Sequence, residues 1–411
     1  MATHNRWSIA AAGVLMQIAL GAVYAWSVFR IPLTQTFGWT ISEVTVTFTI
    51  AIFVLGLAAF GGGLWMRRAG PRTVALTAGA LYGVGVFLAS LAGGHLWWLY
   101  CSYGVIAGAG LGLGYIVPVA TLVKWFPDKR GLITGLAVAG FGAGALITAP
   151  IATRLIASFG VMQTFAILGA AYFVAVTVGA LFMRNPPDGY RPPGWTPTVT
   201  QQRQRAAGAC TLTQAMRRWQ WYGLWTLLFL NTTAGIAVIS QAAPMFQEIT
   251  GISAARAAGI VGIISIANGA GRLLWAWLSD LVGRRTVFLA MFLLQAIIFW
   301  LLPSAHGLPL FAALVVAVLL CYGGGFGTMP AFAADYFGAE HVGSIYGLML
   351  TAWGVAGVVG PTLIAALRER SGGYDGALRM IAGLMLVSAV IPLLVTPPRV
   401  VEAAPPRSAA L

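Results

Sequence analysis

The sequence predicts an all-α membrane protein of twelve transmembrane helices, arranged as two six-helix bundles with pseudo-twofold symmetry. Three observations carry that expectation. Hydrophobic residues make up 59% of the 411-residue chain and charged residues only 8%, against about 25% charged in a soluble domain. Twelve apolar runs each reach the length of about 18 residues that a helix needs to cross hydrocarbon. The two halves of the chain also repeat, at an offset near 212 residues.

The first six runs fall at about 7–33, 43–66, 73–92, 96–123, 131–158 and 162–183. The first lacks the short apolar core and small-residue cleavage site of a secretory signal, so it is expected to remain as a span. Residues 185–216 carry two Pro-Pro pairs and Gln-Gln-Arg-Gln-Arg, and read as a polar linker. Near its end, Thr211 with Gln214 forms the capping box of a short interfacial helix. Six more runs follow at about 217–246, 254–279, 286–303, 308–337, 342–367 and 376–396. The expected organisation is a bundle at 1–184, the linker, a bundle at 217–398 and a tail at 399–411.

The repeat is visible in particular residues. Phe37-Gly-Trp-Thr before the second run matches Thr250-Gly-Ile-Ser before the eighth, and Gly63, Gly70 and Arg72 match Ala276, Gly283 and Arg285. Pro118 matches Pro330, and Trp125-Phe126 matches Tyr336-Phe337. Two parallel repeats of six spans form a central site between halves, which opens to each side in turn.

The net charge of +14 would suggest acidic or nucleic-acid partners in a soluble protein. Here its distribution is what matters. With a cytoplasmic N-terminus, 17 of the 24 Lys and Arg fall on the inner side and 6 in outer loops, leaving Arg272. Both termini are therefore expected in the cytoplasm, with the chain in the inner (plasma) membrane. Cys101, Cys210 and Cys321 are scattered without metal or redox spacing, and no metal site is expected.

Arg272 is the one formally charged side chain inside an apolar run. It stands eight residues before Asp280, about 12 Å from that run's charged end on a helix. An arginine at that depth is costly unless it faces a wet cavity or an anion. A planar guanidinium pairs naturally with a carboxylate, which points to a small organic anion as cargo. The alternative is a structural arginine that caps carbonyls or snorkels to headgroups. The ten acidic residues, from Glu43 to Glu402, and the four histidines, His4, His95, His306 and His341, fall at span ends, loops or the tail. Pumps and symporters place a titratable group in mid-membrane, so anion exchange, or a proton carried with the substrate, is favoured.

The segment Trp277-Leu-Ser-Asp-Leu-Val-Gly-Arg-Arg285 resembles the loop signature of the major facilitator superfamily. That resemblance implies a gate at Asp280, Arg284 and Arg285. In the first-half copy, Leu64-Trp-Met-Arg-Arg-Ala-Gly-Pro-Arg72, the family's aspartate is replaced by Arg67, which leaves that half without its latch. Within the superfamily, Gly140-Phe-Gly-Ala-Gly-Ala-Leu-Ile-Thr-Ala-Pro150, Asn268-Gly-Ala-Gly-Arg-Leu-Leu-Trp275 and Leu350-Thr-Ala-Trp-Gly-Val-Ala-Gly-Val-Val-Gly-Pro361 resemble the oxalate:formate antiporter family, a relative of the monocarboxylate porters.

The resemblance implies substrate binding at Arg272. The oxalate exchanger adds a lysine in the eleventh span, where this chain has Trp353. A dicarboxylate would then bury one unpaired negative charge, which costs several kcal/mol, so a monocarboxylate is expected. The porters often carry an aspartate four residues before the arginine and a lysine in the first span; these positions fall on Asn268 and Tyr24. The i, i+4 spacing puts Asn268 on the face of Arg272, where its amide can hydrogen-bond but cannot take up a proton near neutral pH. Helix-to-helix glue is its other reading.

Gln17, Tyr24 and Trp26 in the first run, Tyr115 in the fourth, Asn231 and Gln241 in the seventh and Tyr322 in the tenth are further candidates to line a cavity. Tyr and Trp join an apolar face to a polar tip, which suits a short organic acid. Packing or interfacial anchoring is the competing reading for each. The glycine-rich strings at 108–114 and 323–327 lack the strand and the Lys-Ser/Thr of a phosphate loop, so they read as close helix packing. No catalytic elbow or zinc motif is present, so an enzyme and a cofactor are not expected.

The function expected is secondary transport of small monocarboxylates, of the lactate, pyruvate or formate class, by a monomer in the lipid bilayer. The rivals are a dicarboxylate:formate antiporter, which needs a second buried cation, and a transporter-like sensor, which needs a large cytoplasmic domain.

Overall fold

Apolar runs with few β-branched breaks propagate as helix, and glycine or a hydroxyl cap decides where each ends. The computed structural model describes residues 5–197, 210–252, 254–305 and 307–398. Residues 198–209 of the expected linker, the tail at 399–411 and His306 lie outside the described residues.

Helix α1 is Arg6–Phe37. The stretch Ile41–Ala89 turns at Gly70 (φ 76°), ahead of Pro71, giving α2 (41–69) and α3 (71–89). Thr40 and Glu43 form a capping box at its start. Helix α4 is Leu96–Trp125, and Arg130–Phe182 turns at Gly160 (φ 79°) to give α5 (130–159) and α6 (161–182). The second half holds α7, Trp219–Thr250, and α8, Ala254–Val282. It continues with α9 (Arg284–Ser304), α10 (Leu308–Phe337), α11 (Val342–Ser371) and α12 (Tyr374–Leu394). Nine described helical stretches are long and apolar enough to span. Two of the nine, divided at Gly70 and Gly160, hold two spans each, and α8 supplies the twelfth. Before α7, Leu212–Met216 forms the short helix, with the Thr211–Gln214 capping box in place.

The repeat seen in the sequence is also a repeat of backbone. Positive φ falls on Gly38 and Gly251, on Gly70 and Gly283, and on Gly160 and Gly372, each pair 212 or 213 residues apart. At Gly70 and Gly283 the chain makes the tight turn between consecutive spans, a conformation that a Cβ would strain.

Helices α1–α6 pack as one bundle and α7–α12 as the other, joined along α5 with α8 and α10, and along α2 with α11. Small residues bring these helices together, as expected in lipid, where close packing replaces the hydrophobic drive. A Cβ at Gly131 would collide with Ala276 O, and one at Gly63 with Gly343 O. Gly142 and Gly269 mark the far end of the α5–α8 contact. These seams lie at the face that holds both described chain ends: Arg6 pairs there with Asp128 at 2.7 Å, and Arg285 reaches the end of α12. On this terminal face the halves are closed.

Several helices depart from regular α geometry. Helix α1 has a 3₁₀ turn at Ala22–Ala25, α4 a π segment at Tyr100–Ala107, and α11 a break at Leu350. The 3₁₀ turn carries Tyr24 next to Gly21, whose missing Cβ lets α1 touch Phe141 O of α5.

Candidate functional site

Arg272 is 1% exposed at the centre of the molecule. Its Nε donates to Asn268 Oδ1 at 3.3 Å, one turn back on α8. Nη1 donates across the seam to Val138 O of α5 at 3.2 Å, so the guanidinium itself bridges the halves. Among the described residues Nη2 forms no well-aligned hydrogen bond, although the Tyr24 hydroxyl lies within side-chain reach of the guanidinium, and no ion pair to Arg272 forms. The backbone of α8 lies so close to α10 that a Cβ at Gly327 would strike Arg272 O and one at Gly323 Asn268 O. The glycine string of α10 is therefore packing, as its lack of phosphate-loop chemistry implied.

Aromatic rings enclose the arginine. Phe141 and Phe326 present their rings to its Cζ at 5.8 and 5.2 Å, within cation–π range. Tyr24 and Tyr115 lie edge-on to Phe141 at 5.2 and 5.1 Å. From the second half, Tyr322 packs on Phe326 at 5.3 Å and Phe326 on Trp353 at 5.1 Å. Trp353 closes the ring toward Tyr24 at 6.3 Å and Tyr115 at 6.5 Å. Tyr24, Tyr115 and Tyr322 all lie within electrostatic reach of Arg272. Gln17 Nε2 donates to Tyr115 O at 3.2 Å. Its Oε1 and the hydroxyls of Tyr24, Tyr115 and Tyr346 are buried without a formed hydrogen bond. The phenols still lie within side-chain reach of one another and of the guanidinium, Tyr24 of Arg272 and Tyr322, and Tyr115 of Tyr346, so the polar atoms at the centre of the molecule cluster around Arg272.

Of the residues named from sequence, Arg272, Asn268, Tyr24, Tyr115, Tyr322, Trp353 and Gln17 come together in this cage. Gln241 does not: its Oε1 accepts from Tyr374 Oη of α12 at 3.0 Å. Asn231 is helix glue, donating to Cys321 O and Tyr322 O and accepting from Gln295. Trp26 packs on Phe29, Tyr103 and Phe165. Phe141, Phe326 and Tyr346 went unread in the sequence. The two phenylalanines were legible as the single large residues in Gly140-Phe-Gly142 and Gly324-Gly-Phe-Gly327; Tyr346 gave no such signal.

The terminal face is held by charge. Asp280 accepts from the backbone N–H groups of Gly131 and Leu132 at 2.9 and 2.8 Å, so a carboxylate of the second half caps α5 of the first, where the helix dipole favours it. Arg284 pairs with Asp280 at 2.6 Å and with Asp335 at 2.9 Å, and donates to Ser279. Arg130 crosses from the first half to Asp335 at 2.8 Å. Arg285 plays no part in this crossing: it donates to Pro392 O and Leu393 O of its own half. Arg130 and Asp335 complete the network and were missed, because a charge at a span end carries no partner information.

Among the described residues no ion pair crosses the matching seam at α2 and α11. Arg67 stands at a cavity with Lys124, Glu340 and His341. Burial, then repulsion from Arg67, holds the His341 imidazole below its usual pKa.

The Major Facilitator Superfamily pattern matches residues 9–272 and 225–411, and the chain belongs to that superfamily. Over 372 residues it is 27% identical to the oxalate:formate antiporter of Oxalobacter formigenes, covering 90% of this chain and 86% of that protein. It is 28% identical over 359 residues to the uncharacterized MFS-type transporter YhjX of Escherichia coli strain K12, covering 86% of each. Human monocarboxylate transporter 11 is 25% identical over 395 residues, with 94% of this chain and 82% of that protein covered. Among solved structures, the transporter FucP in its outward conformation aligns over 94% of this chain and 98% of its own, with a TM-score of 0.73 at 16% identity, a likeness of fold alone. The chain is thus a multi-pass membrane transporter and not an enzyme.

Proposed function

We propose that this protein is a secondary transporter of small monocarboxylates, of the lactate, pyruvate or formate class, which alternates its opening between the two faces around Arg272. The observation that carries the reading is the charge inventory of the cage: one buried guanidinium whose Nη2 has no well-aligned partner, neutral phenol donors around it, and no second cation or carboxylate beside it. A bound monoanion completes neutrality and pairs these donors. A dianion leaves a charge over. The relatives named for oxalate and formate and for monocarboxylates support an organic acid as cargo. Trp353 in place of a cation argues against oxalate itself.

In this reading Asn268 and the two phenylalanines aim Arg272, the tyrosines and Gln17 take the remaining substrate oxygens, and Asp280 and Arg284 with Arg130 and Asp335 act as the gate. With the basic residues inward, the terminal face is cytoplasmic, both termini lie inside, and the gate seen closed is the inner one. Each chain works as a monomer in the inner membrane, its bundles at 1–184 and 217–398 tethered by 185–216. The test is uptake by purified protein in liposomes, with and without internal substrate and with and without a pH gradient. Uptake of labelled lactate or pyruvate accelerated by internal monocarboxylate is expected. Acceleration by internal oxalate alone would overturn the substrate class.

A further inference from the structure

A second polar cavity lies at the terminal face, away from Arg272. Its volume is about 280 Å³, and Arg67, Lys124, Asn185, Glu340, His341 and Ser344 line it. The walls come from both halves, because α2 and α4 supply Arg67 and Lys124 while the turn into α11 supplies Glu340 and His341. The contact of Gly63 with Gly343 closes it.

The charges in this cavity do not balance. Arg67 makes no hydrogen bond or ion pair among the described contacts, and the Lys124 ammonium reaches only Asn185 Oδ1, at 3.4 Å. The His341 side chain is 10% exposed and lies 4.0 Å from the carboxylate of Glu340, which is itself 70% exposed and solvated. His341 Nδ1 is buried without a partner. On the same face Arg6, Arg130 and Arg284 each meet a carboxylate within 3 Å. Here two cations and an imidazole share one water-exposed acid.

We propose that this cavity binds a small oxyanion, a carboxylate or phosphate-like group, which bridges Arg67 and Lys124 of the first half to His341 of the second and holds the terminal face shut. The pocket exists only while the halves meet, so the anion binds one state and stabilises it by mass action. The site is independent of what the central cage carries. The groups facing His341 are Arg67 on α2, Lys124 on α4 and Glu340 beside it. Burial first, then Arg67, disfavours the imidazolium, and Glu340 opposes them more than Lys124 adds to them. A bound anion reverses that field, so binding takes up a proton and tightens as pH falls.

Sulfate is a suitable probe because it does not titrate near neutrality. Spin labels at Arg68→Cys and Leu281→Cys, both exposed and on opposite halves, report the gate in a Cys101→Ser/Cys210→Ser background. In phosphatidylcholine nanodiscs at constant ionic strength, sulfate in place of chloride is expected to shift the distance distribution to its short component and raise the melting temperature. Losing one cation in Arg67→Gln or Lys124→Gln should raise the half-effect concentration about tenfold, the factor that about 1.4 kcal/mol gives. The response at pH 6 should exceed that at pH 7.5 in the parent but not in His341→Gln. Acetate acting like sulfate assigns the site to soluble carboxylates as well. Phosphatidylglycerol nanodiscs that give the short distance without sulfate, through the same three residues, assign it to a lipid headgroup. If neither distance nor melting responds to any of these anions, or if the variants respond as the parent does, the cavity is not an anion site.

Discussion

Arg272 combines three roles that a lysine cannot reproduce. Its Nε is fixed by Asn268 and its Nη1 by Val138 O, and in the proposed function Nη2, which has no well-aligned partner, takes the substrate. An ammonium has no planar fork to divide in this way. Losing a charge-assisted hydrogen bond costs about 1.5–3 kcal/mol, so Arg272→Lys should fold normally and bind substrate roughly ten- to a hundredfold more weakly. Binding to purified protein checks this; unchanged affinity would remove the fork from the account. Trp353 tests the charge inventory in the opposite direction. It packs on Phe326 and faces both first-half tyrosines, so Trp353→Lys places a second cation in the cage. Oxalate should then compete better against labelled monocarboxylate than it does in the parent. A lysine that finds no anion there is costly, so lower stability without substrate is the accompanying expectation. No gain in competition would place Trp353 away from the cargo.

Between elements, the seams decide which face is open. Asp335 is shared by Arg130 of the first half and Arg284 of the second. Asp335→Asn removes the charge that joins them and leaves two guanidinium groups facing each other, so the terminal face should open more often. Labelling of a cysteine placed beside the gate should speed up several-fold; unchanged labelling would assign the closure to helix packing alone. The contrast between this seam and the one at α2 and α11 shows what the sequence discloses and what it hides. The aspartate-to-Arg67 departure was readable as a missing latch, and the two-bundle repeat was readable from Gly70, Gly283 and the matched prolines. The partners of Asp280 and Arg284 were not, because Arg130 and Asp335 reach them only after α5 and α10 have packed against α8. The cage was legible in part. Arg272 and Asn268 are one helical turn apart, and Tyr24, Tyr115, Tyr322, Trp353 and Gln17 could be named as polar or amphipathic residues in the spans, whereas Phe141, Phe326 and Tyr346 are brought in by tertiary packing. Gln241 belonged to the same helix as a cavity residue would, but its hydroxyl partner on α12 takes it elsewhere.

Across the whole molecule, Arg272 is joined in the centre by no carboxylate and no histidine among the described residues, so the transport cycle should not depend on titration of a mid-membrane side chain. Exchange between equal substrate concentrations should vary little from pH 6 to 8, apart from ionisation of the acid itself. A steep titration abolished by changing Glu43 or Asp335 would contradict this. His341 is the described exception at the terminal face. Its folded pKa lies below the unfolded value of about 6.5, so the stability it contributes is present above that value and is lost as pH falls through the lowered one. In chloride, the parent's melting temperature should therefore fall more than that of His341→Gln between pH 7 and 5; equal falls would show that the imidazole is not held in its neutral form.

The most direct test of the central claim is equilibrium exchange of labelled lactate or pyruvate by Arg272→Ala in liposomes, beside the parent and at matched protein. Truncation also removes the contacts to Asn268, Val138 O and the two phenylalanines and leaves a cavity, so the variant should melt lower than the parent yet remain folded at the assay temperature, while its exchange falls to that of protein-free liposomes. A well-folded Arg272→Ala protein that exchanges near the parent rate would contradict the account.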